Sequence, residues 1–373
     1  MKIAVVHSMY RSDQPSGENN TVKAQVAQLR LAGHQVLEVY ADSDNILNPV
    51  LAAAKVSVGS GIDPKGKIEK FEPDLVHVHN TFPNFSSRWP LELQTPMVAT
   101  LHNFRYTCAS GTLFRDGEPC TLCIDHRKFN SVIHGCYRNS RIATIPMYTG
   151  VSRGPERSAL ISASQKIVAL SARARKIHIR AGVNEQKICL VPNFVQPSLE
   201  KASEQNSSWA YVGRLSPEKG IQQLLKVWPE GRTLDIYGDG PLRSTLEAMA
   251  GSSVKFHGVI PSEVVQSRLA KARGLVFPSI WPESAYPMSY LDALSVALPV
   301  VALEGNGAAD DVVAHDTGSV FAEWNDLQSA MDRVDAKWGQ FSEGALHRFE
   351  TEFSAQKWTD KMQDVYNSAI CEN

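Results

Sequence analysis

Glu283 and Asp292 lie in the stretch "FPSIWPESAYPMSYLDALSVALPVV" (277–301), the first in a loop and the second on the helix expected to follow. Two carboxylates in that setting suit a metal site, an acid/base pair or ordinary surface. Upstream, "VGRLSPEKG" (212–220) puts Arg214 and Lys219 around a Ser-Pro-Glu helix start, with Pro217 fitted to a first helical turn. Two fixed cations beside a helix start make a seat for a diphosphate, since a guanidinium grips two oxygens at once. "IYGDGPL" (236–242) is another strand-to-helix turn, where Gly238 and Gly240 would let a ligand approach the backbone. No full GxGxxG follows the first strand, so no dinucleotide fingerprint is present.

The first half carries its own candidates. His102 follows the run "MVATL", and Gly17 opens the amphipathic run that ends at Gly33. His77 and His79 alternate along "DLVHVHN" and are expected on opposite faces, with His79, nearer the carboxyl end, turned toward a ligand. Cys108, Cys120, Cys123 and Cys136 share one long loop. A CxxC with an outlying cysteine on each side suits a structural zinc site, with His126 or His134 as a substitute ligand; free thiols and a disulfide are the competing readings.

The elements that must position these residues follow one repeated scheme. Short β-branched runs at 2–6, 74–79, 97–102 and 166–171 read as buried parallel strands in the first half. The scheme restarts with runs at 209–213, 234–238, 254–258, 274–279 and 299–303, separated by helical stretches. Two βαβα blocks imply two doubly wound sheets, each with a ligand crevice at the carboxyl ends of its strands. The polar, Pro- and Ser-rich segment 191–208 is the expected linker.

Composition agrees with a soluble two-domain chain: 373 residues, 43% hydrophobic and 21% charged. "MKIAVVHSMY" reads as a buried strand and no export leader is expected, so the six cysteines point to a reducing, cytoplasmic setting. The net charge of −1 conceals an asymmetry. Residues 1–185 hold 22 Lys and Arg against 15 Asp and Glu, whereas residues 186–373 hold 16 against 24. The excess concentrates in 103–180, with 13 basic and four acidic residues, a stretch suited to an anionic membrane surface. No nucleic-acid module is recognisable.

Together these turns resemble the retaining glycosyltransferases of family 4, of the GT-B fold, and most of all bacterial members that build exopolysaccharide, capsule or O-antigen. The motifs that carry the resemblance cover about nine tenths of the chain. The resemblance implies an α/β architecture of two Rossmann-like domains facing a central cleft. Residues 1–190 would bind the acceptor, with a C-terminal helix near 353–373 crossing back, and 191–352 would bind the donor. It implies transfer of a hexosyl group from a UDP- or GDP-sugar to a glycan or polyprenyl-diphosphate-linked acceptor, without a catalytic metal.

Carried onto this sequence, Arg214 and Lys219 hold the donor diphosphate, Glu283 the sugar hydroxyls and Asp292 the ribose. His102 faces the donor sugar, and Gly17 approaches the phosphates. The turn Ser284, Ala285, Tyr286, Pro287 and Met288 offers backbone N–H groups. The family spaces its two acids by seven residues and uses Glu twice; here eight residues intervene and the second acid is Asp. Three rivals remain at this stage. One is a metal-dependent transferase using the "DSD" at 42–44. The others are a nucleotide-sugar epimerase on the same scaffold and a non-catalytic sugar-binding protein.

Overall fold

The computed structural model describes residues 1–12, 16–46, 48–281 and 283–372. The chain divides into two compact units: Met1–Arg115 with Cys120–Pro192 and Thr359–Asn373, and Asn193–Trp358 with Asp116–Pro119. In the first unit the strands are β1 (Lys2–Met9), β2 (Gln35–Asp42), β3 (Leu75–Asn80), β4 (Met97–Leu101), β7 (Lys166–Ala169) and β8 (Ile188–Leu190). The two-residue strands β5 (Phe114–Arg115) and β6 (Glu118–Pro119) form a separate hairpin. The main sheet runs β2-β1-β3-β4-β7-β8, with every pairing parallel.

The second unit repeats the plan with β9 (Trp209–Val212), β10 (Leu234–Tyr237), β11 (Val254–Gly258), β12 (Gly274–Phe277), β13 (Val300–Leu303) and β14 (Gly318–Phe321). Their order is β11-β10-β9-β12-β13-β14, again all parallel. Successive residues face opposite sides. Ala210, Leu275, Phe277 and Val300 enter one apolar cluster, and Trp209, Tyr211, Val276 and Val301 enter the other. A sheet covered on both faces in this way needs continuous apolar strands, as the sequence supplies. The short edge strands β8 and β14 are not among the runs read from the sequence.

Each sheet reverses its strand order once, between β1 and β3 in the first unit and between β9 and β12 in the second. In open parallel sheets the crevice for a ligand opens at that reversal, beyond the carboxyl ends of the strands. The loops after β1, β3, β9 and β12 are therefore the ones to inspect.

Two glycines lock the turns after β9 and β10 together. A Cβ on Gly238, whose φ is +139°, would sit 1.9 Å from the carbonyl oxygen of Gly213, and one on Gly240 would sit 2.5 Å from that of Leu215. On the Cβ side, what approaches these glycines is the chain's own turn carrying Arg214. Helix Ala355–Cys371 belongs to the first unit from Thr359 onward. There, Gln28 donates to Thr359 Oγ1 at 3.0 Å, and the Tyr366 hydroxyl lies 2.8 Å from His77 Nδ1. Among the described residues no helix is long and apolar enough to cross a membrane.

Candidate active site

In the second unit the loops after β9 and β12 are tied to each other. Ile280 N–H donates to Glu218 O at 3.1 Å, and a Cβ on Gly220 would strike Pro278 O at 2.0 Å, so only glycine lets the two pass this closely. Asn306 fixes the far side by donating to Phe277 O at 3.1 Å while accepting from the N–H groups of Ala308 and Ala309. Held between these loops, Lys219 Nζ pairs with Glu283 Oε1. The Glu283 side chain is 7% exposed and that of Lys219 20%, so the pair is largely withdrawn from water. Ser279 Oγ donates to the same carboxylate oxygen at 3.4 Å, and Lys219 Nζ lies 4.9 Å from the centre of the Trp281 ring.

Glu283 adopts φ of +24°, a left-handed conformation that an ordinary side chain takes only when its surroundings impose it. Arg214 is different. Its carbonyl accepts from the Tyr211 hydroxyl at 2.9 Å, which fixes the turn, while its side chain is exposed and forms no ion pair among the described residues. Burial, then the carboxylates of Glu283 and Glu218, hold the Tyr211 hydroxyl far above its ordinary pKa, so it remains a donor.

Asp292 lies on helix Met288–Ser295 and accepts from Gln266 Nε2 at 3.3 Å. Burial pushes its carboxyl up to about 7, against the smaller opposing effect of Gln266. Such an acid gains from any further hydrogen-bond donor. The turn before the helix departs from expectation at Pro287. Pro287 caps the helix, has no N–H to offer, and spends its carbonyl on Tyr290 and Leu291. The Tyr286 ring is buried in the core, 5.1 Å from that of Phe353 centre to centre. Ser284 is buried as well, and Met288 packs on the same core.

In the first unit the residues around the reversal between β1 and β3 form a buried polar cluster. His102 Nε2 and His79 Nδ1 lie 3.0 Å apart, one donating to the other. His77 uses both ring nitrogens, on Tyr366 and Thr100, each at 2.8 Å, and is structural. The rings of His77 and His79 are 4.1 Å apart, which corrects the expectation of opposite faces: two residues along a strand is one full pleat, hence the same face. His7 Nε2 pairs with Asn19 Oδ1 at 3.0 Å.

Glu18, in the first turn of helix Gly17–Leu31, was not singled out by sequence. Its Oε2 accepts from the Tyr10 hydroxyl at 3.2 Å, and its Oε1 lies 4.0 Å from His7 Nδ1. Burial pushes this carboxyl up to about 7, partly offset by Tyr10, Arg105, Asn80 and Asn103. Its only sequence signal is the position beside Gly17, at which an added Cβ would meet nothing within 4 Å.

Cys108, Cys120, Cys123 and Cys136 form no disulfide bond. The Cys123 thiol, pushed up to about 11 chiefly by burial, also feels the other three sulfurs. Cys108 Sγ lies 3.2 Å from Ser110 Oγ, and Cys123 Sγ donates to Lys128 O at 3.5 Å. His134 Nδ1 is 2.8 Å from Arg115 Nη1. Among the described residues no three His, Cys, Asp or Glu side chains are arranged to hold a metal ion, and this includes the "DSD" triplet. There, Ser43 donates to Met9 O and Asp44 accepts from Ser12 N–H.

With this geometry in view, comparison with known proteins gives a consistent result. Residues 15–199 match the family described as Glycosyltransferase Family 4, and residues 207–336 match that described as Glycosyl transferases group 1. The chain belongs to these glycosyltransferase families. The O-antigen chain mannosyltransferase C of Escherichia coli is 24% identical over 233 residues, 57% of this chain and 61% of that protein. The chain spans about half the length of the curated relatives it matches. Among solved structures, a sucrose-phosphate synthase of Thermosynechococcus elongatus superposes with a TM-score of 0.69 at 15% identity, covering all of both chains. Anabaena HepE, solved with UDP-glucose, gives 0.62 at 16% identity over 99% of this chain and all of that one. These likenesses establish the GT-B fold.

The buried histidines set a pH dependence. Burial lowers His7 to about 4 and His77, His102 and His178 to about 3, with His79 also well below 6.5. The unfolded chain takes up these protons near pH 6.5 and the folded chain does not, so stability is full above 6.5 and falls on acidification. Each such histidine removes about 1.4 kcal/mol per pH unit below 6.5 until its folded pKa is reached. Glu18 and Asp292, raised to about 7, take up protons in the folded chain over the same range and offset part of this loss. Urea unfolding at pH 7.5 and pH 5.5 should still show a net loss; equal midpoints would contradict neutral, buried imidazoles.

Proposed function

We propose that the protein is a retaining hexosyltransferase that moves a sugar from a nucleoside-diphosphate sugar to a glycan or polyprenyl-diphosphate-linked acceptor, without a catalytic metal. The observation that carries this reading is the Lys219–Glu283 pair at the strand reversal of the second sheet, with Arg214 exposed and uncompensated on the same turn. Breaking the bond from anomeric carbon to diphosphate puts charge on the departing phosphate, and fixed cations aimed there supply the stabilisation that a divalent ion would otherwise give. Arg214, Lys219 and Glu283 together carry a net charge of +1. Arg214 therefore provides the uncompensated attraction, and Lys219 a pre-positioned donor that needs no reorganisation when the diphosphate arrives.

Glu283 accepts from the donor sugar hydroxyls, and Asp292 from the ribose, in addition to the protein donors each already has. His102, neutral and held by His79, positions the donor sugar. The first unit, residues 1–190, takes the acceptor, and 191–352 the donor. UDP is favoured over GDP only by the likeness to HepE.

The acceptor is met at a membrane. Phe129, Ile133, Ile142 and Ile145 are all exposed by 47% or more within the basic stretch, beside exposed Arg127, Arg138 and Arg141. Apolar side chains rimmed by cations suit an anionic bilayer surface.

Turnover should survive excess EDTA, and Arg214→Ala and Lys219→Ala should each lower kcat/KM at least 10²-fold, about 2.7 kcal/mol. Magnesium dependence, unchanged variants, or conversion of the donor with no acceptor present would overturn the reading. Co-sedimentation with phosphatidylglycerol vesicles should be lost in Ile142→Asp/Ile145→Asp; retention would remove the membrane part alone.

A further inference from the structure

The first unit contains a cavity of about 310 Å³ that opens beside the histidine cluster. His79, Asn80, His102 and Asn103 line one side of it, and the remaining wall includes Arg88, Arg105 and Arg157. No Asp or Glu is among the lining residues. Three guanidiniums around one concavity repel each other, and a low-dielectric wall focuses their field on whatever enters. The ordinary remedy, an ion pair with a nearby carboxylate, is not taken here: Arg88, Arg105 and Arg157 form no ion pair within hydrogen-bonding range among the described residues. Arg105 is electrostatically coupled to Glu18, whose carboxyl burial pushes up to about 7.

Arg105 is held for a purpose beyond packing. Its guanidinium lies 4.6 Å from the centre of the Phe82 ring, and Nη1 donates to Ala109 O at 3.4 Å, while Nε is buried without a hydrogen-bond partner. Gly111, at φ +81°, keeps the space beside it open, since a Cβ there would come within 3.3 Å of Nη2. A buried donor left unsatisfied costs free energy until a ligand satisfies it.

We infer that this cavity binds a phosphate or diphosphate ester on the acceptor, next to the hydroxyl that attacks the donor. The inference rests on the first unit being the acceptor half. Three positive charges call for a ligand bearing about two negative ones, and the planar fork of arginine matches phosphate oxygens. A single carboxylate would leave the repulsion mostly unrelieved. The phosphate has two possible sources, a lipid-linked diphosphate or a soluble sugar phosphate, and both share this chemistry.

The test is calorimetric titration of the full chain with inorganic pyrophosphate, in the presence of a saturating nucleoside diphosphate so that the donor seat is already filled. One further site is expected, weakened at least tenfold in Arg88→Gln/Arg157→Gln. Both arginines are exposed, so this variant should fold, and its unchanged nucleoside diphosphate affinity checks that. Farnesyl diphosphate binding tenfold tighter than pyrophosphate identifies the lipid source, and glucose 1-phosphate doing so identifies the soluble one. Absence of the second site, equal binding by the double variant, or glucuronate binding as tightly as pyrophosphate overturns the inference. Absence of nucleoside diphosphate binding would instead sink the donor assignment above.

Discussion

A carboxylate that is 7% exposed and an ammonium that is 20% exposed must face each other, or neither is tolerable so far from water. The Lys219–Glu283 pair imposes that demand on everything around it. The turn after β9 and the loop after β12 must stay in register, which the pairing of Gly274 with Trp209 and Leu275 with Ala210 secures. They must also pass close together, which Gly220 permits against Pro278 O. The left-handed backbone at Glu283 is the strain that remains after those constraints are met. A pair formed ahead of a ligand spends its ordering entropy during folding.

The first unit solves a different problem with the same topology. Its strand reversal gathers imidazoles that burial keeps neutral and a carboxyl that burial raises, next to arginines that cannot lose their charge. Neutral donors and acceptors beside fixed cations suit a neutral hydroxyl approaching an anion. The second unit is acidic in sequence yet presents its cations at the crevice, and the first is basic both overall and at its cavity. Net charge by half of the chain therefore says less about ligands than the few residues after strand ends.

Much of this was legible in the sequence because it depends on local pattern. Continuous apolar runs bounded by glycine become strands buried on both faces, and the residues just beyond them, Arg214, Lys219, Glu283 and His102, fall at carboxyl ends by arithmetic. What escaped depends on tertiary placement. Gly238 and Gly240 are glycine-rich turn residues in sequence, and only the structure shows that the neighbouring turn occupies their Cβ side. Pro287 belongs to the loop as read, yet it has no N–H to offer a ligand. Glu18 and Arg105 have no motif, since strands distant in sequence bring them together. Of the cysteines in the long loop, Cys108 lies against Ser110 and Cys123 donates to Lys128 O, contacts that spacing alone does not reveal.

The division of labour within the ion pair is open to a direct measurement: affinities for a nucleoside diphosphate and for the matching sugar nucleotide, in the parent, Lys219→Ala and Glu283→Gln. The account predicts that losing the lysine weakens both ligands by tenfold or more. Neutralising the glutamate should weaken only the sugar nucleotide and leave the nucleoside diphosphate bound as well or better. If Lys219→Ala binds both ligands as the parent does, the pair is not a donor clamp.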